Sequence, residues 1–258
     1  MGQMWRCIEH GADTGEFNMR FDEGLAAMLQ EGSGEPTLRL FGWKPWTISL
    51  GYNQSMTNID SEKCARDGIG IVRRPTGGRA ILHAEELTYS VAMYAGRRTI
   101  LEIYNEISSA LVQGLKLFGV DVSLQRSQSN FSEQYKQASS IPCFTSSARY
   151  EIEWKGRKLV GSAQRRYRSG DRDIVLQHGS ILCGPAHRRL AEYVAVGTQA
   201  LSEGLRRDLR DRTVDLSEIC GGAIDMRWLS QCVRTGFERA WDIQFMTEET
   251  SQPVGAHA

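Results

Sequence analysis

The side chains best suited to covalent chemistry fall between Ile141 and Leu182. Cys143 follows a proline at the end of a long polar run, and Lys158 lies in a strand-like segment just before Gly161-Ser162-Ala163. A third segment ends in Gln177-His178-Gly179-Ser180. A thiol acts as a nucleophile when a nearby base or positive charge favours its thiolate. The clustering of a thiol, an amine and small residues therefore indicates acyl chemistry.

The other cysteines offer alternatives to Cys143. Cys183 precedes Gly184-Pro185, Cys220 precedes a glycine pair, and any of them could be a small buried hydrophobe instead. An unaided thiol with a pKa of about 8.5 is only slightly ionised at neutral pH. The six cysteines show no CxxC pairing, and no cysteine or histidine pair has the spacing of zinc ligands. We therefore expect free thiols, a reducing cytoplasm and no metal.

Lys158, His83 and His178 each have two readings. Lys158 is either an exposed lysine at a sheet edge or a desolvated lysine that contacts an acyl carbonyl and assists proton transfer. His83 and His178 lie at the ends of strand-like segments, where a histidine is either structural or part of a pocket.

A glycine-containing loop lies earlier in the chain. Residues 73–87 read RRPTGGRAILHAEEL, and the paired glycines let backbone N–H groups approach a ligand closely. A plain turn between two strands is the alternative. The segment matches neither the Walker pattern nor GxGxxG.

Composition limits the classes of function. The 258 residues are 41% apolar and 24% charged, and Lys+Arg and Asp+Glu are both 31, so the formal net charge is zero. Bulk electrostatics therefore do not favour nucleic-acid binding. No apolar run is long enough to span a membrane, and the N-terminal residues do not resemble a secretory signal.

Periodicity predicts an α+β domain over residues 1–245, with a mainly antiparallel sheet closed by C-terminal helices and a disordered tail over 246–258. The spacing predicts an amphipathic helix from Ile100 to Phe118 and C-terminal helices over His187–Leu201 and Met226–Trp241. Strands are predicted over Tyr150–Trp154, Arg157–Arg165 and Ile174–Leu182. We expect the Ser/Gln-rich residues 125–140 to be a mobile flap that brings Cys143 to the pocket.

A basic cluster follows the predicted hairpin. It is either a solvated face or a docking patch for an acidic partner. Its members are Arg165, Arg166, Arg168 and Arg172.

Three blocks in register resemble the biotin/lipoate ligase and octanoyltransferase superfamily. The first is RRPTGGRAILH at residues 73–83 with LTYS at 87–90, the second is GRKLVGSAQ at 156–164, and the third is LQHGSIL at 176–182. The resemblance covers residues 15–245. It implies the fold of a class II biotin/lipoate ligase-like catalytic domain.

Within the superfamily, the segment Pro142-Cys143-Phe144 before Tyr150 resembles the LipM-type octanoyltransferases. In those enzymes the matching cysteine carries the acyl group as a thioester. Lipoate–protein ligases usually have a third glycine where this chain has Arg79, and an aspartate where it has Ala84. Because the aspartate is common in both subclasses, no role is assigned to Ala84.

The resemblance implies catalytic roles for Cys143 and Lys158. Octanoyl-acyl carrier protein would be the donor, and a lysine of a lipoyl domain, such as the glycine cleavage H protein, would be the acceptor. Neither a cofactor nor a metal is expected, nor a nucleic-acid or membrane partner, and the chain is expected to be a monomer. The substrate-binding residues implied are Arg73, Thr76, Gly77, Gly78, Arg79, His83, Gly161, Ser162, Ala163, Gln177, His178 and Gly179.

Three alternatives remain open from the sequence. The chain could be an ATP-dependent lipoate–protein ligase, a lipoyl or octanoyl amidotransferase between lipoyl domains, or a non-catalytic acyl-binding regulator. A ligase would need ATP and no nucleophilic cysteine. Acyl transfer without ATP therefore separates the leading hypothesis from the ligase.

Overall fold

The computed structural model describes residues 3–125, 151–168, 172–195 and 199–246. Cys143 lies outside the described residues, as do all but the first residue of the flap predicted over 125–140 and all but the first residue of the tail predicted over 246–258. Those two first residues, Gln125 and Met246, end strands. Within the described ranges, no helix is long and apolar enough to cross a membrane.

Eleven strands and six α-helices make up the described chain. The strands are β1 (Gln3–Asp13), β2 (Thr37–Trp43), β3 (Thr47–Leu50), β4 (Gly70–Arg73), β5 (Ile81–His83), β6 (Glu86–Tyr94), β7 (Ser123–Gln125), β8 (Glu151–Trp154), β9 (Arg157–Tyr167), β10 (Ile174–Leu182) and β11 (Ile243–Met246). The α-helices are α1 (Gly15–Glu31), α2 (Ser61–Arg66), α3 (Ile100–Leu117), α4 (Gln199–Arg212), α5 (Leu216–Cys220) and α6 (Met226–Trp241). Short 3-10 helices span Met56–Asn58 and Pro185–Glu192.

The large sheet has the strand order β11-β1-β2-β6-β10-β9-β8-β7. Strand β1 pairs in parallel with both β11 and β2, and every other pairing in this sheet is antiparallel. Strand β10 lies between β6 and β9, and all nine of its residues are buried. This strand is therefore covered on both of its faces.

The two faces of the large sheet carry different layers. Helices α3 and α6 pack on one face through Ile107, Leu111, Val233 and other apolar residues that meet the apolar side chains of β6. Both helices begin at side-chain caps, including a capping box in which Thr99 and Glu102 bond reciprocally. We call this side the helical face.

The opposite face, here called the site face, carries α1 and a second sheet. Leu25 and Leu29 of α1 pack against Ile174 and Leu176 of β10. The second sheet has the order β4-β3-β5, with β3 parallel to β4 and antiparallel to β5. Because side chains alternate along a strand, His178 and Ser180 share the site face with Ile174 and Leu176.

The predicted α+β class and the largely antiparallel sheet are confirmed, and the helices at 100–117 and 226–241 lie where they were expected. The predicted helix over His187–Leu201 is wrong. The chain forms a 3-10 helix over Pro185–Glu192, and Val194 then becomes extended to bridge Ile59. A new helix, α4, begins at Gln199.

Candidate active site

A narrow cleft opens between the site face and the second sheet. It contains about 420 Å³ of empty space, part of it open to solvent, and its exposed surface is mainly apolar. Its walls come from α1, β2, β3, the loop after β4, β5, β6, β9 and β10. The lining residues are Met19, Trp43, Ser49, Arg74, Ile81, His83, Thr88, Gly161, Ser162, Ala163, His178, Gly179 and Ser180.

Small residues on β9 and β10 keep the floor of the cleft open. Gly161 and Ala163 pair with Ser180 and His178, so they present almost no side chain toward the cleft. Gly179 meets a different requirement, because a Cβ there would lie 2.4 Å from the carbonyl oxygen of Gly161 and 2.7 Å from the ring of Tyr89. Only glycine fits at position 179 without moving the sheet.

The loop over residues 74–79 is held by Arg74, which the sequence analysis did not select. Its guanidinium is buried and donates to the carbonyl oxygens of Gly77, Arg79 and Ser49 and to Ser49 Oγ. Gly51 lies directly beneath the loop, and a Cβ there would be 2.0 Å from the oxygen of Gly78. This packing fixes the path of Gly77-Gly78 beside the cleft.

Three predicted binding residues lie around the same loop. Arg73 donates to the carbonyl oxygens of Gly51, Tyr52 and Gln54, so it braces the neighbouring turn. The side chains of Thr76 and Arg79 are buried. None of the three lines the cleft.

His178 links the loop to a buried ion pair. Its Nε2 lies 2.6 Å from Thr76 Oγ1, and its Nδ1 lies 3.3 Å from Asp22 Oδ2. Asp22 also accepts from Arg39 Nη1 at 3.0 Å and from the Ser90 hydroxyl at 2.8 Å. Burial lowers the pKa of His178, and the contact with Asp22 only partly opposes that effect, so the ring is neutral at neutral pH.

His83 belongs to a second buried network. Its Nε2 is 2.7 Å from Ser49 Oγ, its Nδ1 is 2.8 Å from Glu86 Oε1, and its ring stacks on Trp43 at 3.9 Å. Glu86 Oε1 also accepts from the hydroxyls of Thr88 and Ser180. Burial raises the pKa of Glu86, but the contacts with His83 and the two hydroxyls outweigh it and leave that pKa below its ordinary value.

Lys158 is buried, so the edge-lysine reading is wrong. Its Nζ lies 2.5 Å from Glu151 Oε1. Ile152 pairs with Val160 while Glu153 pairs with Lys158, which means that β9 has one extra residue, a β-bulge, at this point. The bulge turns Lys158 toward the site face, the side on which Gly161 and Ala163 lie. Lys158 is not among the residues that line the cleft.

Two predicted residues direct their side chains to the helical face. Gln177 Nε2 donates to Tyr89 Oη at 3.0 Å, and Tyr89 Oη lies 2.6 Å from Ser162 Oγ. Burial raises the pKa of Tyr89 to about 12, so the phenol keeps its proton. Gln177 and Ser162 therefore support β9 and β10 from behind, and Ser162 reaches the cleft through its backbone.

The rivals to Cys143 are poorly placed for catalysis. Cys183 is buried, and burial raises its thiol pKa to about 12. Cys220 is exposed, but partial burial raises its thiol pKa as well, and it lies in α5. No cysteine of the described ranges lines the cleft. Cys143 itself lies outside these ranges.

Two arginines of the basic cluster, Arg165 and Arg166, form contacts within the protein. Arg165 donates to the carbonyl oxygen of Pro75 at 3.0 Å and lies over the rings of Tyr52 and Tyr167. Arg166 pairs with Asp173 at 2.7 Å. These contacts give the two arginines a role in holding the cleft loop and the β9–β10 pair.

Reasoning from the sequence found His83, His178 and the small residues but missed Asp22, Ser49, Arg74, Glu86 and Trp43. Arg74 and Glu86 lie within the glycine-containing segment 73–87, so their position next to the predicted binding residues could have identified them as part of the site. Ser49 lies in an apolar strand segment, where a serine carries no motif.

Comparison with known families identifies a family that covers most of the chain. A model described as the lipoyl protein ligase A/B catalytic domain matches residues 14–238. Similar proteins include octanoyltransferase LipM of Kyrpidia tusciae, which is 37% identical over 92% of this chain and 87% of its own length. Octanoyltransferase LipM of Bacillus subtilis is 33% identical over 97% of this chain and 91% of its own length.

Solved structures with the same fold include lipoate-protein ligases. The crystal structure of lipoate-protein ligase A bound with ATP has a TM-score of 0.74 at 19% identity, covering 96% of this chain and 89% of that one. A protein of T. acidophilum is described as a putative lipoate protein ligase with bound lipoic acid. Its structure has a TM-score of 0.71 at 20% identity, and the match covers 95% of this chain and 88% of that one. At these identities the likeness concerns the fold alone.

Proposed function

Because the chain belongs to the lipoyl protein ligase A/B catalytic-domain family, we propose that it moves an octanoyl group onto a lysine of a lipoyl domain through a thioester on Cys143. The donor is octanoyl-acyl carrier protein, and the acceptor is a lipoyl-domain protein such as the glycine cleavage H protein. The enzyme works as a monomer in the cytoplasm, where its cysteines stay reduced.

The observation that carries this proposal is the narrow apolar cleft. Gly161 and Ala163 of its floor leave room for an unbranched chain, and Met19, Trp43 and Ile81 supply apolar walls. Burying the six methylene groups of an octanoyl chain at about 0.8 kcal/mol per CH₂ contributes roughly 5 kcal/mol of binding. An acyl group therefore suits this cleft better than a polar or charged ligand would.

The reaction has two steps that balance without ATP. The Cys143 thiolate attacks the thioester carbonyl, its sulfur bonds to the acyl carbon, and the carrier leaves as a thiolate, which takes up the proton that the Cys143 thiol gave up. The acceptor amine then attacks the same carbon, the bond to Cys143 breaks, and one proton passes from nitrogen to sulfur. Exchange between thioesters is nearly balanced, whereas conversion of a thioester to an amide is downhill.

Lys158 serves as an electrostatic partner in this scheme. Its buried side chain lies on the site face, where its Nζ is 2.5 Å from Glu151 Oε1. A positive charge held in a site of low polarity stabilises the negative charge that develops on the carbonyl oxygen during attack. Lys158 does not line the cleft itself, but it lies on the same face of β9 as Gly161 and Ala163. In the proposed reaction it assists both steps by lowering the energy of the tetrahedral intermediates.

Acyl transfer without ATP tests the proposal. Purified enzyme, octanoyl-acyl carrier protein and a lipoyl domain are combined with no nucleotide, and octanoylation of the acceptor lysine is followed by mass spectrometry. The proposal expects transfer in the wild type and none in Cys143→Ser. Octanoylation that depends on ATP and free octanoate, and that survives in Cys143→Ser, would instead identify a ligase.

A further inference from the structure

The strand that carries Lys158 keeps only one of its two sheet neighbours at that residue. Strand β10 pairs with β9 as far as Ile181 opposite Val160, and the chain after β10 then donates to the carbonyl oxygen of Glu85 instead. On the other side, β8 stays paired with β9 through the β-bulge up to Arg157. Because unpaired buried peptide groups are costly, the open edge of β9 at this point needs another partner.

The connection between α4 and α5 supplies that partner. Thr213 forms a parallel β-bridge with Lys158, and the Val214 N–H donates to the Lys158 carbonyl oxygen at 3.0 Å. The backbone of Lys158 is therefore held along both edges of its strand, by Glu153 of β8 on one side and by this connection on the other. We call residues 213–215 the α4–α5 link.

The α4–α5 link is itself fixed by the helices on either side of it. Its three residues are at most 1% exposed. Thr213 Oγ1 lies 2.7 Å from His187 Nε2 and donates to the carbonyl oxygen of Leu209 in the last turn of α4. Asp215 caps α5 by accepting from the N–H of Glu218 at 3.0 Å. The link is therefore anchored at both of its ends.

Ion pairs nearer the surface join β9 to the same region. Arg157, the residue before Lys158, pairs with Glu218 of α5 at 2.6 Å. Arg188 pairs with Glu218 at 2.9 Å and with Asp215 of the link at 3.3 Å. The start of β9 is therefore attached to α5 through side chains as well as to the link through its backbone.

We propose that the α4–α5 link positions Lys158 for acyl transfer, with Thr213 and Val214 as positioning residues. A β-bulge changes the direction of the side chain that it carries, so the direction of Lys158 depends on how the backbone at the bulge is held. The link holds that backbone, while Glu151 binds the tip of the side chain. Thr213 and Val214 do not line the cleft, so they act through Lys158 and not on the acyl chain.

This inference rests on the proposed octanoyltransferase reaction, in which Lys158 stabilises the charge that develops on the acyl oxygen. Such stabilisation depends on a preorganised position, and a displacement of about 1 Å at a catalytic group can cost about 100-fold in rate. Weakening the link should therefore lower kcat. The KM for octanoyl-acyl carrier protein should stay unchanged, because the walls of the cleft are left in place.

Thr213→Val tests the link, because it removes the hydroxyl and keeps a branched side chain of similar volume. Octanoylation of a lipoyl domain is followed by mass spectrometry in a single turnover. The variant should be slowed about tenfold or more, and Thr213→Ser, which keeps the hydroxyl, should recover most of the rate. The matched control is Thr37→Val, a buried threonine of β2 whose hydroxyl donates to the carbonyl oxygen of Glu35, and it should leave the rate unchanged.

A double-mutant cycle with Lys158→Met separates positioning from a general loss of structure. If Thr213 acts through Lys158, then Thr213→Val should slow the wild type but leave the residual rate of Lys158→Met unchanged. A purely structural role would slow both backgrounds by the same factor. Equal slowing in the two backgrounds, or a Thr213→Val variant as fast as the wild type, would overturn the inference.

If Thr213→Val does not fold, Arg157→Met decides by the same cycle, because it removes the pair with Glu218 at a partly exposed position. Slowing only in the background that retains Lys158 supports the link, and equal slowing contradicts it while leaving the thioester reaction intact. Failure of the proposed function looks different. A wild type that loads no octanoyl group, or a Lys158→Met variant as fast as the wild type, would contradict the proposed reaction and the role of the link with it.

Discussion

At the scale of single residues, the pair formed by Glu151 and Lys158 connects the sheet to the chemistry. Both side chains are at most 5% exposed, and their charged atoms lie 2.5 Å apart. Removing one partner of a buried pair leaves a charge without compensation, which costs about 3–5 kcal/mol. The same pair orients the ammonium that the proposed reaction uses.

Glu151→Gln should therefore lower both the free energy of unfolding and the transfer rate, the latter by about tenfold or more. Urea unfolding and single-turnover transfer measure the two effects. The double variant Glu151→Gln/Lys158→Met removes both charges and should recover most of the lost stability but none of the activity. Recovery of activity in the double variant would refute the role given to Lys158.

Thiol chemistry distinguishes the cysteines. Burial raises the thiol pKa to about 12 for Cys183 and to about 11 for Cys64, so neither supplies appreciable thiolate at pH 8. Brief treatment of native protein with iodoacetamide at pH 8 should label Cys143 first and leave Cys64 and Cys183 unmodified. Peptide mapping checks this order, and preferential labelling of Cys183 would disagree with its burial.

His178 gives the protein a pH-dependent stability. Its pKa is lowered in the folded state by burial, so the unfolded chain binds the proton more readily as pH falls below the ordinary value of 6.5. The contribution is fully present above that value and is lost as pH decreases. His178→Gln should flatten the dependence of the unfolding free energy on pH between 7.5 and 5, and an unchanged slope would argue against a neutral buried ring.

At the scale of elements, the cleft depends on the fit between the second sheet and the glycine loop. The close contact between the two requires glycine at position 51, since a Cβ there would lie 2.0 Å from the oxygen of Gly78. A backbone atom cannot move aside as a side chain can. The loop that follows β4 must therefore shift if any other residue replaces Gly51.

Gly51→Ala should reduce transfer about tenfold or more, with an unfolding free energy lowered by about 1–3 kcal/mol, since overpacking forces the backbone to move. Gly24→Ala in α1 is the matched control, because no atom lies within 4 Å of a Cβ there. The control should keep full activity and gain a few tenths of a kcal/mol or more from helix propensity. Equal activity of the two variants would show that the loop position does not matter.

Helices and strands whose apolar residues recur at a regular spacing could be predicted from the sequence. Segments whose conformation depends on contacts with residues far away in the sequence could not. Helix α3 shows apolar residues every three or four positions, and the hairpin of β8 and β9 follows from alternation around Lys155-Gly156. Strand β1 has no clean alternation and is held by its two parallel neighbours, β2 and β11. The segment after Pro185 is shaped by its bridge to Ile59, a contact that local propensity cannot reveal.

At the scale of the whole molecule, the superfamily predicted from three sequence blocks and the octanoyltransferase class predicted from Pro142-Cys143-Phe144 are confirmed by relatives similar over more than nine-tenths of the chain. The predicted α+β fold is confirmed by the structure and by its likeness to solved structures. The partners of the predicted site residues were harder to foresee. Asp22 and His178 are 156 positions apart, and Ser49 and His83 are 34 apart. Only the folded arrangement of α1, β3, β5 and β10 brings these residues together.

The most direct test of the central claim is the intact mass of the enzyme after brief incubation with octanoyl-acyl carrier protein, without ATP or acceptor. One octanoyl group should appear on the wild type, map to the peptide that contains Cys143, and disappear when a lipoyl domain is added. Cys143→Ser should remain at its unmodified mass. An unmodified wild type, or an octanoyl group on a different residue, would contradict the account.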